Sequence, residues 1–193
     1  IKGVCMASVE RRTFLRLGML GLAGGALLKP SQVFAANSAL TAPKELSFHS
    51  LHTGEKLTAV FWEKGQYVPD ALQAIYNVLR DHRSGEVHKI DYALLETLYE
   101  TRTMVEAKNK PLEIISGYRS PASNAMLRGK SNGGVAKRSL HMLGKAIDIR
   151  IPGVGNDYIR KAGLQLKRGG VGYYPQSGFV HLDTGAVRAW AGA

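Results

Sequence analysis

Beyond Cys5 the chain contains no cysteine, so disulfides and thiolate metal sites are not available to hold it together. Its fold must rest on an apolar core. With 193 residues, 45% of them hydrophobic, one domain can bury such a core without staples. Residues 46–62 place two runs of apolar and β-forming residues around Thr53-Gly54-Glu55-Lys56, a β-hairpin pattern. Pro69-Asp70 opens a helix with Leu72, Ile75, Tyr76 and Leu79 at helical spacing. Asp91 opens a second helix, with Leu94, Leu95, Leu98 and Val105 on one side, that is expected to end at the Lys108-Asn109-Lys110-Pro111 break. Residues 112–116 read as a strand, and residues 121–127 as a short helix with Pro in its first turn. A flexible basic loop is expected over 129–138 and a strand over 146–151. Asn156 is expected to cap a helix through Leu166, before a last pair of strands at 169–174 and 179–183. Helices first and short strands late predict an α+β fold, a small antiparallel sheet with flanking helices. No internal repeat or long linker suggests a second domain, and the absence of heptads favours a monomer.

The first 35 residues have a different character. Five residues precede Met6, and Arg11-Arg12-Thr13-Phe14-Leu15-Arg16 is a twin-arginine block. An apolar stretch from Leu17 to Leu28 follows, then Val33-Phe34-Ala35 with side chains suited to a signal peptidase. A basic start, an apolar middle and an Ala-type exit define a secretory signal, and the paired arginines point to the bacterial twin-arginine route. Cleavage is expected after Ala35, which leaves residues 36–193 as one periplasmic domain. Stable membrane insertion is not expected, because a spanning helix needs about 20 apolar residues. This stretch is interrupted by Gly and ended by Lys29-Pro30.

The net charge of +11 invites a nucleic-acid reading. Removing residues 1–35 takes five bases and one acid from the 26 and 15 of the whole chain, so the remainder still carries +7. A basic envelope protein meets anionic wall polymer more readily than nucleic acid. The chain has no aromatic-basic RNA motif, zinc finger or recognition helix, so no nucleic-acid partner is expected.

Three residues stand out: His141, Asp148 and His181. The first two share the segment Ser139-Leu140-His141-Met142-Leu143-Gly144-Lys145-Ala146-Ile147-Asp148, where a turn at Gly144 could bring both side chains to one cavity. His181 lies in the next strand unit, Gly178-Phe179-Val180-His181-Leu182-Asp183. Imidazole and carboxylate are zinc ligands, and a catalytic zinc keeps a fourth position for water. Spacing alone leaves two readings open. The chain has no His-Glu-x-x-His motif, and a single His in an apolar run is usually a satisfied core residue.

Ser139-x-His141-x-x-Gly144-x-Ala146-x-Asp148, with a later strand histidine, resembles the zinc motif of the superfamily that contains D-Ala-D-Ala metallopeptidases and the hedgehog signalling domain. More narrowly, Ser116-Gly117-Tyr118-Arg119-Ser120, Gly169-Gly170-Val171-Gly172-Tyr173-Tyr174-Pro175 and Phe179-Val180-His181-Leu182-Asp183-Thr184-Gly185 are similar to the YcbK/MepK-type murein endopeptidases. The signal segment and His52-Thr53-Gly54-Glu55 extend the likeness over nearly the whole chain. The resemblance implies a zinc site on the sheet held by His141, Asp148 and His181. It also implies hydrolysis of peptide cross-links in peptidoglycan, either D-Ala to diaminopimelate or diaminopimelate to diaminopimelate.

Arg119 matches the family arginine that faces the scissile carbonyl, where it would stabilise an oxyanion or bind a substrate carboxylate. A structural salt bridge is its other reading. Ser139 is expected to bond substrate, to orient His141 or simply to pack its loop. Arg138, with Lys137, is placed to meet stem-peptide carboxylates, and Tyr173 and Tyr174 are candidate substrate walls or core. Related enzymes often carry Glu or His shortly before the last histidine ligand, but here those positions hold Phe179 and Val180. Asp183 lies two residues on, hence on the same strand face as His181. It is expected either to serve as general base or to orient the ligands. A carboxypeptidase that trims stem peptides and a murein-binding module with a structural metal are the competing functions.

Overall fold

The computed structural model describes residues 42–130 and 134–192. The twin-arginine segment, Cys5 and the expected cleavage point lie outside the described residues, as do residues 131–133 of the basic loop. The described chain is α+β. Its strands are β1 (Lys44–Ser50), β2 (Lys56–Glu63), β3 (Gln66–Tyr67), β4 (Leu112–Ser116), β5 (Ala146–Arg150), β6 (Gly170–Tyr174), β7 (Phe179–Asp183) and β8 (Arg188–Ala191). Its helices are α1 (Pro69–Val78), α2 (Tyr92–Met104), α3 (Pro121–Lys130) and α4 (Asn156–Leu166), with a short 3-10 helix at Leu140–Leu143.

The strands form one eight-stranded sheet in the order β3-β2-β1-β4-β5-β7-β6-β8. The expected small antiparallel sheet is instead a mixed, mostly antiparallel sheet of eight strands, since β1 with β4 and β6 with β8 pair in parallel. The first parallel pair arises because α1 and α2 intervene between β1 and β4, a connection long enough to return the chain in the same direction. The second arises because β8 reverses direction after β7 and lies on the far side of β6.

Period-two alternation turns one face of the sheet inward. Leu46 and Phe48 of β1, Leu112 and Ile114 of β4, Ile147 and Ile149 of β5, and Val180 and Leu182 of β7 are all buried. They join one cluster with Ile75 of α1, Leu94, Leu95 and Leu98 of α2, and Ile159 of α4. Each such side chain contributes roughly 1.5–3 kcal/mol through removal from water. The packed face fixes the register of β5, β6 and β7, and so fixes which residues point to the other face.

Three helix ends differ from those expected. Helix α2 ends at Met104 because Glu106 adopts a left-handed φ of 54° and Ala107 N–H bonds back to the Arg102 carbonyl. Helix α3 continues to Lys130. Gly155, not Asn156, is the N-cap of α4.

Candidate metal centre and cleft

On the face opposite the core, cross-strand pairing sets out three rows of side chains. Asp148 of β5 faces His181 of β7, which faces Gly172 of β6, which faces Trp190 of β8. One step along the strands, Asp183 is followed by Gly170 and Arg188; one step the other way, Phe179 faces Tyr174. These rows and the segment around His141 enclose a cleft of about 260 Å³.

His141 reaches the cleft from the 3-10 helix, which Gly144 ends at a left-handed φ of 63°. A Cβ on Gly144 would lie 2.1 Å from the Lys89 carbonyl oxygen, so both conformation and close approach require glycine. Asp91, the N-cap of α2, ties this corner down. Its N–H bonds to the Gly144 carbonyl, and its carboxylate accepts from Thr184 Oγ1 at 2.9 Å.

Each imidazole is oriented by a bond on the side away from the cleft centre. His141 Nδ1 lies 2.8 Å from the Gly117 carbonyl, which can only accept, so Nδ1 carries the proton and Nε2 presents a lone pair inward. His181 is turned the other way, with Nε2 3.0 Å from Asp183 Oδ2 and Nδ1 facing inward, 2.8 Å from Asp148 Oδ1. His141 Nε2, His181 Nδ1 and the Asp148 carboxylate converge, with one ligand atom from each residue within 4.8 Å of the others. Two imidazoles and a carboxylate, buried and open to a cleft on one side, form a donor set that could hold a metal ion. Burial pushes the Asp148 carboxyl upward, but His141 and His181 outweigh it and hold the group below the usual carboxylate range. Burial lowers His181, yet hydrogen bonds to Asp148 and Asp183 raise it overall.

Asp183 is saturated with donors. Its Oδ1 accepts from the N–H groups of Gly170 at 2.9 Å and Gly185 at 2.8 Å, and from Arg188 Nη1 at 3.1 Å. Its Oδ2 accepts from Arg188 Nη2 at 2.6 Å and faces His181. A carboxylate offers about four lone-pair positions, so none is left for a reacting proton. Burial pushes this carboxyl up, while His181, Arg188 and the two backbone donors bring it well below the ordinary range.

Arg119 follows β4 and lines the cleft; its Nη2 lies 3.1 Å from Ser116 Oγ and 3.7 Å from Asp148 Oδ2. Its backbone N–H bonds to the His141 carbonyl, which couples the arginine to the first ligand. The Ser116–Ser120 segment is thereby fully used. Ser116 and Gly117 hold Arg119 and His141, Tyr118 bonds Glu86 at 2.6 Å, and Ser120 accepts from Ser123 N–H at the start of α3. Asp81, which the sequence does not single out, is buried behind this turn and accepts from Ser120 N–H at 2.9 Å.

Ser139 is buried and lines the cleft, and Arg138 is an exposed rim residue. Of the two readings of Tyr173, its position agrees with the core one: it packs at the edge of the core with the Arg160 guanidinium 5.4 Å over its ring, on the face away from the candidate ligands. The cleft wall is Tyr174, because Gly172 rather than Val171 pairs with His181 and alternation then places Tyr174 on the ligand side. Phe179, Arg188 and Trp190 also line the cleft, although sequence reasoning gave the last two no role. Their signal was the Arg188-Ala189-Trp190 alternation shortly after the last histidine unit.

The family described as "Peptidoglycan L,D-endopeptidase MepK" matches residues 38–190. A protein of that name from Escherichia coli strain K12 is 42% identical over 181 residues, covering 94% of this chain and 97% of its own. A "Probable peptidoglycan L,D-endopeptidase MepK" from Haemophilus influenzae is 42% identical over 183 residues, covering 95% and 96%. The chain belongs to the MepK family. The MepK-family match covers every residue of the cleft, from Arg119 to Trp190. No solved structure matches the chain.

Proposed function

We propose that this MepK-family chain is a zinc metallopeptidase that hydrolyses peptide cross-links of peptidoglycan. One observation carries the reading: inward-facing His141 Nε2, His181 Nδ1 and Asp148 lie at the floor of an open cleft flanked by a half-buried arginine. A three-ligand set beside a cleft suits a catalytic metal, whereas a structural zinc site is closed by four protein ligands. When bound there, zinc supplies Lewis-acid polarisation of the scissile amide and water acidic enough to attack at neutral pH.

The chain's own groups do the rest. Gly117 and Asp183 hold the two imidazoles in the tautomers that leave Nε2 and Nδ1 free. We assign Asp183 a positioning role, because its oxygens are already saturated by His181, Arg188 and two backbone N–H groups. Arg119, braced by Ser116, stabilises negative charge on the carbonyl oxygen. Arg138 at the rim receives a stem-peptide carboxylate, and Ser139 bonds the substrate backbone.

The relatives' name, L,D-endopeptidase, favours the link between two diaminopimelates, which joins an L-centre carbonyl to a D-centre amine; the D-Ala link joins two D centres. Export of the chain through its twin-arginine segment would bring it to this substrate in the periplasm. No helix among the described residues is long and apolar enough to cross a membrane. Purified protein incubated with cross-linked murein should convert dimeric muropeptides to monomers, and a chelator should stop it. Shortened monomers with unchanged dimers would indicate a carboxypeptidase, and no hydrolysis at full zinc occupancy would sink the enzymatic reading.

A further inference from the structure

The aromatic side of the cleft is built as tightly as the ligand side, and the zinc-binding roles do not account for it. Gly172 sits beside His181 and has no side chain, so the Trp190 indole of the neighbouring strand leans across it. A Cβ on Gly172 would lie 2.6 Å from Trp190 Cε2. The indole lies with its centroid 5.2 Å from the His181 ring and is covered by the Arg188 guanidinium at 4.9 Å. Its Nε1 donates to Tyr174 Oη at 2.8 Å.

An indole N–H can only donate, so Tyr174 Oη is the acceptor of that pair and keeps its own proton for another partner. The phenol ring is fixed as well. It stacks on Phe179 with a centroid separation of 4.5 Å and an interplanar angle of 18°. Gly192 closes on its other edge, where a Cβ would lie 2.3 Å from Tyr174 Cε1. Arg119 and Tyr174 stand on opposite flanks of the ligands. The arginine follows β4, the tyrosine is on β6, and β5 and β7 with Asp148 and His181 run between them. Both residues line the cleft.

We propose that Tyr174 is a further catalytic residue, whose hydroxyl, held by the Trp190 indole, donates a hydrogen bond to the scissile carbonyl oxygen as that oxygen gains negative charge. The inference rests on the endopeptidase reading above and adds to it a second donor on the flank opposite Arg119. No proton is transferred: the phenol keeps its hydrogen, and the bond strengthens as the carbonyl becomes an oxyanion. A donor fixed in advance by an indole and a ring stack needs no reorganisation during the reaction, the condition under which such bonds contribute most. Trp190 is then a positioning residue that acts through Tyr174.

The test compares the parent, Tyr174→Phe and Trp190→Phe on a purified diaminopimelate-linked muropeptide dimer. Tyr174→Phe keeps the ring and its stack on Phe179, and should lower kcat about 100-fold with KM changed by less than about threefold. Trp190→Phe should lower kcat by about 10-fold through loss of the anchor. Zinc content and thermal midpoint are measured alongside. Equilibrium affinity for a phosphinate analogue of the cross-link, whose tetrahedral oxygens are already charged, should fall in Tyr174→Phe by a factor similar to that in kcat. A kcat within threefold of the parent, or a raised KM at unchanged kcat, would show a substrate wall only and overturn the proposal. So would loss of zinc from Tyr174→Phe, since the effect would then run through the ligands. A parent that releases no monomer removes the endopeptidase reading and this inference together, whereas an active parent with an equally active variant removes this inference alone.

Discussion

His181 and Asp183, two residues apart on β7, are joined side chain to side chain at 3.0 Å, and the bond turns the imidazole so that Nδ1 rather than Nε2 faces the ligand cluster. His141 presents the opposite nitrogen, because the carbonyl of Gly117 occupies its Nδ1. The geometry of the candidate metal centre thus depends on two acceptors that do not themselves belong to the cluster.

Asp183→Asn should weaken zinc binding by about 10- to 100-fold, the usual effect of losing an outer-sphere carboxylate. Competition with a chromophoric chelator measures it. Asp183→Ala, which also strands the buried N–H of Gly170, should cost about 2 kcal/mol of stability in denaturant titration. Unchanged zinc affinity in both variants would remove the positioning role.

Gly117→Ala should disturb the other imidazole. The added methyl would lie 2.5 Å from the Leu79 carbonyl oxygen, a backbone atom that cannot rotate away. The strain should lower stability by about 1–3 kcal/mol. It should also weaken zinc binding, because the Gly117 carbonyl shifts from His141 Nδ1. Thermal unfolding with and without zinc separates the two effects.

Arg119 and Arg138 should behave differently under steady-state kinetics. Arg119 is half-buried beside Asp148 and braced by Ser116, so Arg119→Lys, which loses the guanidinium fork, should lower kcat about 100-fold. Arg138 is exposed at the rim, so Arg138→Ala should raise KM several-fold and leave kcat near that of the parent. A reversal of this pattern would exchange the two roles.

The pH dependence of stability should carry a signature of His82, which stacks on His52 at 3.8 Å behind the Arg119 turn. Burial first, then the positive charges of Arg83, His52 and Arg119, lower it to about 4, with Asp81 opposing. Between that value and the unfolded-state value near ~6.5 the unfolded chain binds a proton that the folded chain does not. Stability should therefore rise with pH through this window and level off above it. Urea midpoints for the parent and His82→Gln across the window should differ in slope; parallel profiles would remove His82 as the source.

Most elements, and the motif that singles out the candidate ligands His141 and Asp148, were legible because their signals are local. The hairpin turn at Thr53–Lys56, the helix starts at Pro69 and Asp91, and the Ser139–Asp148 segment each declare themselves within about ten residues. The choice between Tyr173 and Tyr174 was not legible. Adjacent strand residues face opposite ways, and only the pairing of Gly172 with His181 decides which one enters the cleft. Arg188 and Trp190 were missed because β8 has four residues, too few to stand out, and gains its meaning from parallel pairing with β6.

By itself the sequence determined the α+β class, the donor types and the motif that links the chain to its family, since these depend on residue identity and short-range spacing. Tertiary structure alone decided which nitrogen each histidine offers, that Asp183 is saturated, and which tyrosine faces the ligands. Those outcomes depend on hydrogen bonds and strand register between segments tens of residues apart. Such contacts form only when the apolar face of the sheet has packed against its helices and fixed every strand in place.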